Sequence, residues 1–404
     1  MTIRAIARPG RAVAVSLLAA AALSGCAAHP FSTAGVVPAE GRVSFDAARI
    51  DSGMVSGDAD RAAHRRLTAD DPVRIASISK LVVALGVMRL VERGTLDLDR
   101  DVSDWLGYRL RNPAFPDTPI TLRLLLSHRS SLTDATDYVV PFGVLLRDRL
   151  ADPKAWDGDH APGTYFRYTN FNFPVIASVM ERATGTRFDR LMATEVLRPL
   201  GIDACYNWGD GCSDATVARA VVLYNPDGSV ARDDLHGVRP DCPVLLAPGR
   251  SCDLAAYVPG DNGGLFSPQG GLRISLNGLA RVGQMLLRRG EGFLSPASIA
   301  LLEGPEWRFD GSNGDTERGF NCRYGLAMQT LASPQPGCND DLFGEARAGT
   351  AHVGHSGDAY GLRSGLWIDR NSGRGVAFFA TAIPDGVRGR TAFTPQEERL
   401  ATGR

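Results

Sequence analysis

The chain has 404 residues, of which 44% are hydrophobic and 22% charged, and a formal net charge of -1. That composition excludes a disordered chain, and the balanced charge excludes a nucleic-acid binder held by a bulk basic field. The length suits one large catalytic domain or two ordinary ones.

The first residues are a targeting segment. Residues 1–12 carry Arg4, Arg8 and Arg11 and no acid, and AVAVSLLAAAALSG then runs apolar, too short for a spanning helix. Leu23-Ser24-Gly25-Cys26 resembles a bacterial lipobox. Residues 1–25 are therefore read as a lipoprotein signal peptide, with Cys26 the lipidated first residue of an exported, envelope-anchored chain. An ordinary secretory signal with an incidental cysteine is the alternative. Residues 26–42 lack periodicity and read as a tether, so the membrane enters as a partner only through the anchor.

Beyond the tether, residues 43–76 are short mixed segments punctuated by Gly and Asp, as strands and turns are. Ser77 to Arg93 is nearly all apolar after Lys80 and stops at Gly94, which predicts a buried helix. Helical starts follow at 121–127, twice within 172–200 with a break at Thr184-Gly185, at 277–289, and after Ser295-Pro296. Gly365–Asp369 and Gly375–Ala380 flank Arg370-Asn371-Ser372-Gly373, an antiparallel hairpin pattern. The ends are strand-rich and the middle helical. The chain is thus expected to be α/β of the α+β type: one domain over 43–390, with a sheet built from both ends and a helical subdomain over roughly 95–260. Residues 391–404 are expected to be a tail with at most a short helix.

Seven cysteines are an odd number. With Cys26 assigned to the anchor, six remain in an exported chain, where disulfides persist. Sequence neighbours enclose short loops rich in Gly, Asp and Pro, which predicts Cys205–Cys212, Cys242–Cys252 and Cys322–Cys338. A metal site is the rival reading, but no CxxC occurs and no histidine lies close to these cysteines.

Three short motifs can carry chemistry. Ser77 and Lys80 lie three apart at a helix start and share a face. The helix dipole there favours negative charge, and a desolvated lysine loses its proton readily and can act as a base. Lys80 and Lys154 are the only lysines; every other basic residue is arginine, which cannot give up its proton. Tyr168-Thr169-Asn170 offers a proton shuttle and an amide. His355-Ser356-Gly357 precedes the hairpin, with a glycine that admits close backbone approach. The surrounding GHSGD is not a GxSxG elbow, because Asp358 replaces the last glycine and strand follows. His352 and His355 lack a third metal ligand in sequence. No cofactor is implied.

The order and spacing of these motifs resemble the serine β-lactamase and penicillin-binding family, in the branch holding class C β-lactamases, DD-carboxypeptidases, D-aminopeptidases and esterases. RIASISK at 74–80, LVERGTLDLDRDVSDWL at 90–106, LRLLLSHRSSL at 122–132, PGTYFRYTNFNF at 162–173, PQGGLRISLNGLARVGQMLL at 268–287 and HSGDAYGLRSGLWID at 355–369 carry the likeness. The resemblance implies a β-lactamase-like antiparallel sheet flanked by helices, and acyl transfer from small esters, amides or D-amino-acid peptides. Ser77 would be the nucleophile, with Lys80 and Tyr168 sharing the proton. Asn170 would orient a substrate amide. The backbone N–H groups of Ser77 and of Asp358, on an edge strand, would hold the oxyanion. A protonated His355, with Ser356 and Gly357, would face the substrate and pair its carboxylate. Departures are Ser131 where relatives often have glycine, His355 in place of lysine, and the lack of a long final helix. No glutamate is assigned as a base. A β-lactamase proper and a non-catalytic peptidoglycan-binding lipoprotein are the alternatives.

Overall fold

A computed structural model describes residues 37–344 and 351–404. The expected signal peptide, Cys26 and most of the expected tether lie outside the described residues.

β1 (Glu40–Asp46) alternates half-buried and buried positions, with Val43 and Phe45 fully buried, the period-two signature of a strand on a core. It begins inside the segment expected to be tether, so the folded unit starts earlier than residue 43. β2 (Met54–Ser56) returns beside it, and β3 (Asp58–Asp60) pairs with β4 (Arg65–Arg66). β5 (Val73–Arg74) feeds the helix Ile78–Glu92, which is buried at nearly every position and packs against the sheet.

The middle of the chain holds most of the short helices, among them Leu122–Leu126, capped by Thr121, and Asn172–Thr184. It also holds the small strands β6 (Cys205–Tyr206), β7 (Leu223–Tyr224) and β8 (Val230–Arg232). β9 (Leu272–Ile274) lies between β5 and β6 in a three-stranded sheet. That small sheet ties the residues just before Ser77 to the middle of the chain.

The last third supplies β10 (Trp307–Arg308), β11 (Arg323–Tyr324), β12 (Gln329–Thr330), β13 (His352–Ala359), β14 (Leu362–Asp369) and β15 (Arg374–Ala380). The main sheet is antiparallel in the order β10-β11-β12-β13-β14-β15-β1-β2, so both chain ends meet where β15 pairs with β1. Both faces are covered. Leu366, Ile368, Ala377 and Phe379 join the large core on one side, while Trp367, Val376 and Phe378 join a second cluster on the other. The helix Leu276–Leu287 packs on β1, β14 and β15. Gly283 permits that approach, because a Cβ there would stand 2.1 Å from Phe45 Cζ.

The expected tail is not one. Pro395–Thr402 is a helix opened by a capping box between Thr394 and Glu397, and its Leu400 and Ala401 are buried against the sheet. The domain therefore extends past residue 390.

The three disulfides are Cys205–Cys212, Cys242–Cys252 and Cys322–Cys338, with Cα–Cα distances of 5.0, 5.8 and 6.0 Å. Each closes a short loop, and on the chain-entropy account each stabilises by about 2–3 kcal/mol.

Candidate active site

Ser77 stands at the N-cap of the helix Ile78–Glu92, yet its side chain makes no capping bond. Its hydroxyl is instead 2.9 Å from Lys80 Nζ. The preceding Ala76 has φ +50°, a left-handed conformation unusual for a residue with a Cβ, so the chain turns sharply into the nucleophile.

Lys80 is fully buried. Its Nζ also donates to Asn170 Oδ1 and to Gln269 O, both at 2.9 Å. Those two oxygens can only accept, so they take two of its protons. Asn170's orientation is fixed from behind: its Nδ2 and backbone N–H both donate to Asp134 Oδ2 at 2.9 Å, and Phe171 N donates to Asp134 Oδ1. What remains of Nζ, the third N–H of the ammonium or the lone pair of the amine, faces Ser77 Oγ. Burial pulls the Lys80 pKa down to about 7, with Asp134 and Glu317 opposing. At neutral pH a large share of the enzyme therefore holds an amine lone pair against the Ser77 hydroxyl. Asn170, expected to orient a substrate amide, gives one Nδ2 proton to Asp134 and accepts from Lys80, which leaves its second Nδ2 proton for the cavity it lines.

Tyr168 lies over Lys80, with Nζ 4.9 Å from its ring centroid. The surrounding protein holds its pKa well above the usual phenol value, with a hydrogen bond to Ser77 acting the other way. It therefore keeps its proton at neutral pH, and of the two groups beside Ser77 Lys80 is the one that sheds its proton more readily. His128 stacks on it at 4.3 Å. His128 Nδ1 accepts from Thr169 N and faces Asn172 Nδ2. Burial and Lys80 keep His128 neutral, well below its ordinary pKa.

His355 corrects the expectation of a cationic partner for substrate. It is buried, its Nδ1 is 2.5 Å from Ser356 O, and its Nε2 is 2.8 Å from Tyr324 Oη. Because a carbonyl only accepts, Nδ1 carries the proton and Nε2 accepts from Tyr324. Burial, then Lys80, push its pKa down to about 3. A neutral ring with both nitrogens engaged neither lowers the Tyr168 pKa nor binds a carboxylate.

β13 is an interior strand of the sheet, not its edge. β12, however, pairs with it only at Val353 and Gly354, so His355–Ala359 have no strand on that side. Ser356 N–H points there and donates to Gln329 Oε1 at 3.0 Å, as does Ser356 Oγ. By strand alternation Asp358 N–H points the same way. Gly357 lets the strand reach the nucleophile, since a Cβ would meet Ile75 O at 2.3 Å and Ser77 N at 3.2 Å. Ser77 N–H donates to no acceptor among the described residues. Both N–H groups are thus available to an incoming carbonyl oxygen.

The cavity in front of Ser77 holds about 950 Å³, and Asp134, Tyr168, Asn170, Glu317 and His355 line it. Glu317, exposed at the rim of the cavity, accepts from Asn321 Nδ2 at 2.7 Å. Ser131, the departure from the family pattern, has φ +63°, which glycine would adopt without strain. Its hydroxyl accepts from Asn112 Nδ2, a bond that glycine would lose.

Asp134, His128, Gln269, Gln329 and Glu317 were not singled out from sequence. His128 and Gln269 had a signal, since they lie within the LRLLLSHRSSL and PQGGLRISLNGLARVGQMLL stretches.

The family described as Beta-lactamase matches residues 29–398. The esterase EstB of Burkholderia gladioli is 29% identical over 357 residues, 82% of this chain and 83% of its own length. The D-alanyl-D-alanine-carboxypeptidase/endopeptidase AmpH of Escherichia coli K12 is 30% identical over 142 residues, 33% of this chain and 36% of its own. Among solved structures, a D-amino acid amidase from Ochrobactrum anthropi SV3 superposes with a TM-score of 0.62 at 18% identity, over 91% of this chain and 92% of its own.

Proposed function

The chain belongs to the β-lactamase family of serine acyl-transfer hydrolases, and from that premise we propose that it cleaves small esters, with D-amino-acid amides and peptides as further substrates, through an acyl-enzyme on Ser77. One observation carries the reading: the Lys80 amine, buried and oriented by Asn170 and Gln269, bonds Ser77 Oγ at 2.9 Å. Lys80 takes the Ser77 proton as Oγ attacks the carbonyl carbon. The Ser77 and Asp358 N–H groups hold the oxyanion. Tyr168 gives its proton to the leaving group as the scissile bond breaks, and the Lys80 ammonium restores it. Water then attacks the acyl-enzyme and frees the acid, its proton returning along the same path.

Esters stand first for two reasons. The relative matched over most of both chains is named an esterase. A neutral His355 offers no positive charge to the carboxylate of a peptide substrate. A non-catalytic role fits poorly with a lysine held neutral against a free serine hydroxyl.

The test is a panel of p-nitrophenyl acetate, a D-Ala-D-Ala peptide and nitrocefin. Ester turnover should exceed that of nitrocefin by about a hundredfold or more in kcat/KM, equivalent to roughly 3 kcal/mol of transition-state binding. Nitrocefin turnover above the ester rate would make it a β-lactamase proper. No turnover and no covalent mass gain with any of them would sink the acyl-enzyme.

The proposal includes export and a lipid anchor at Cys26. Three disulfides, which persist in oxidising compartments, support export. Cys26→Ser should move the protein from the membrane fraction to the soluble one, and membrane retention unchanged by that substitution would refute the anchor.

A further inference from the structure

Arg74 is an arginine without an acceptor. It ends β5, three residues before Ser77, lines the same cavity, and is only 9% exposed. Its Nε is buried with no partner, and its guanidinium forms no hydrogen bond or ion pair with any described residue. Its guanidinium stacks on Tyr360, 4.9 Å from the ring centroid. The nearby acid is already used: Asp233 binds Arg273 at 2.8 and 3.1 Å and also accepts from Trp208. Arg232 stacks on the same Tyr360, also at 4.9 Å. Burial, then Arg273, lower the Arg74 pKa to about 10, which leaves it cationic at neutral pH. A buried cation with unspent donors is costly unless something supplies the acceptor.

The chemistry fixes which part of a substrate arrives there. The leaving group needs the Tyr168 proton, so it lies beside Tyr168 and His355, both of which line the cavity. β13 then runs from His355 past Asp358 to its turn at Tyr360, where Arg74 stands. With the carbonyl oxygen between the Ser77 and Asp358 N–H groups, the acyl portion extends away from Tyr168, toward Tyr360 and Arg74.

We propose that Arg74, supported by Arg232 and Tyr360, is an anion subsite for the acyl portion, and that the preferred substrates are acyl donors ending in a carboxylate, such as hemiesters of dicarboxylic acids. This rests on the acyl-enzyme reading above. The planar guanidinium suits a carboxylate through paired N–H donors.

The test compares p-nitrophenyl hemiadipate with its methyl ester, which differ in the acyl portion. A second pair, 4-carboxyphenyl acetate and its methyl ester, places the charge in the leaving group. Wild type should prefer the hemiadipate by about tenfold or more in kcat/KM and show no such preference in the leaving-group pair. Arg74→Gln should bring the hemiadipate ratio to near one, and Arg74→Lys should keep part of it. A ratio unchanged by Arg74→Gln, or a preference confined to the leaving-group pair, overturns the proposal. If Arg74→Gln fails to fold, wild type still decides: adipate monomethyl ester should compete with the p-nitrophenyl methyl adipate substrate and dimethyl adipate, which lacks the carboxylate, should compete less, and equal inhibition by both overturns it. Wild type active on the methyl ester without preference for the acid refutes this subsite alone. Inactivity on all four esters refutes the acyl-enzyme, and the subsite with it.

Discussion

Ser77→Ala should lower ester turnover about ten-thousandfold or more and abolish the covalent adduct. The nucleophile cannot be replaced locally. Ser79 faces away, its Oγ donating to Ala76 O at 2.6 Å and accepting from Leu272 N at 3.1 Å. Ser356 Oγ is held by Gln329. The fold should survive, because the Ser77 side chain caps nothing and the helix behind it is anchored by apolar burial. Intact mass after incubation with a fluorescent penicillin or an aryl ester reads the adduct, and circular dichroism reads the fold. A folded alanine variant that still gains acyl mass would move the nucleophile elsewhere. Residual turnover in a folded variant without an adduct is expected from the Ser77 and Asp358 N–H groups, which still bind the developing oxyanion.

The parts of this site legible in the sequence were those with a local pattern. Ser77 and Lys80 share a helix face, and lysine is scarce, so the pair could be read from spacing and composition. Tyr168, Asn170 and the His355 strand needed the family resemblance, since YxN alone is common. Asp134 and Gln329 carried no signal, and Gln269 lay in a quoted stretch without a readable role, because each acts away from its own neighbourhood: Gln269 through a backbone carbonyl 189 residues from Lys80, Gln329 through a side chain 27 residues from Ser356. The charge of His355 was not legible for a physical reason. Its protonation depends on burial and on the Lys80 charge, and neither is written in the motif. In the fold, the β14–β15 hairpin and the helices around Ser77 and Ser295 followed from alternation, apolar runs and caps. β10, β11 and β12 are two residues each and carry no period to read. The last helix was underestimated because its capping box and apolar residues occupy only two turns.

Lys80→Met should lower kcat/KM about a hundred- to ten-thousandfold, the usual range for losing a general base. The wild-type pH profile gives the sign. Only the neutral amine can take the Ser77 proton, so activity should rise with pH through a limb near 7. Asp134 and Glu317 raise the Lys80 pKa, so Glu317→Gln should move that limb to lower pH. A limb that stays in place, or moves up, would remove Glu317 from the electrostatics of the base. The same group sets a stability difference. The folded-state pKa, about 7, lies below lysine's ordinary value of 10.5, so burial of the charged form costs stability. That cost is absent above the unfolded value, grows as pH falls, and is complete below the folded one. Methionine carries no such cost. The stability of Lys80→Met relative to wild type should therefore rise between pH 10 and pH 7 and level off below. His128 and His355 occur in both chains, and their lowered pKa values place their titration at more acid pH. Urea unfolding of both proteins across that range measures the difference. A gap constant from pH 10 to 7 would mean that Lys80 keeps an ordinary pKa in the fold. It would then enter the reaction as an ammonium, and the Ser77 proton would need another acceptor.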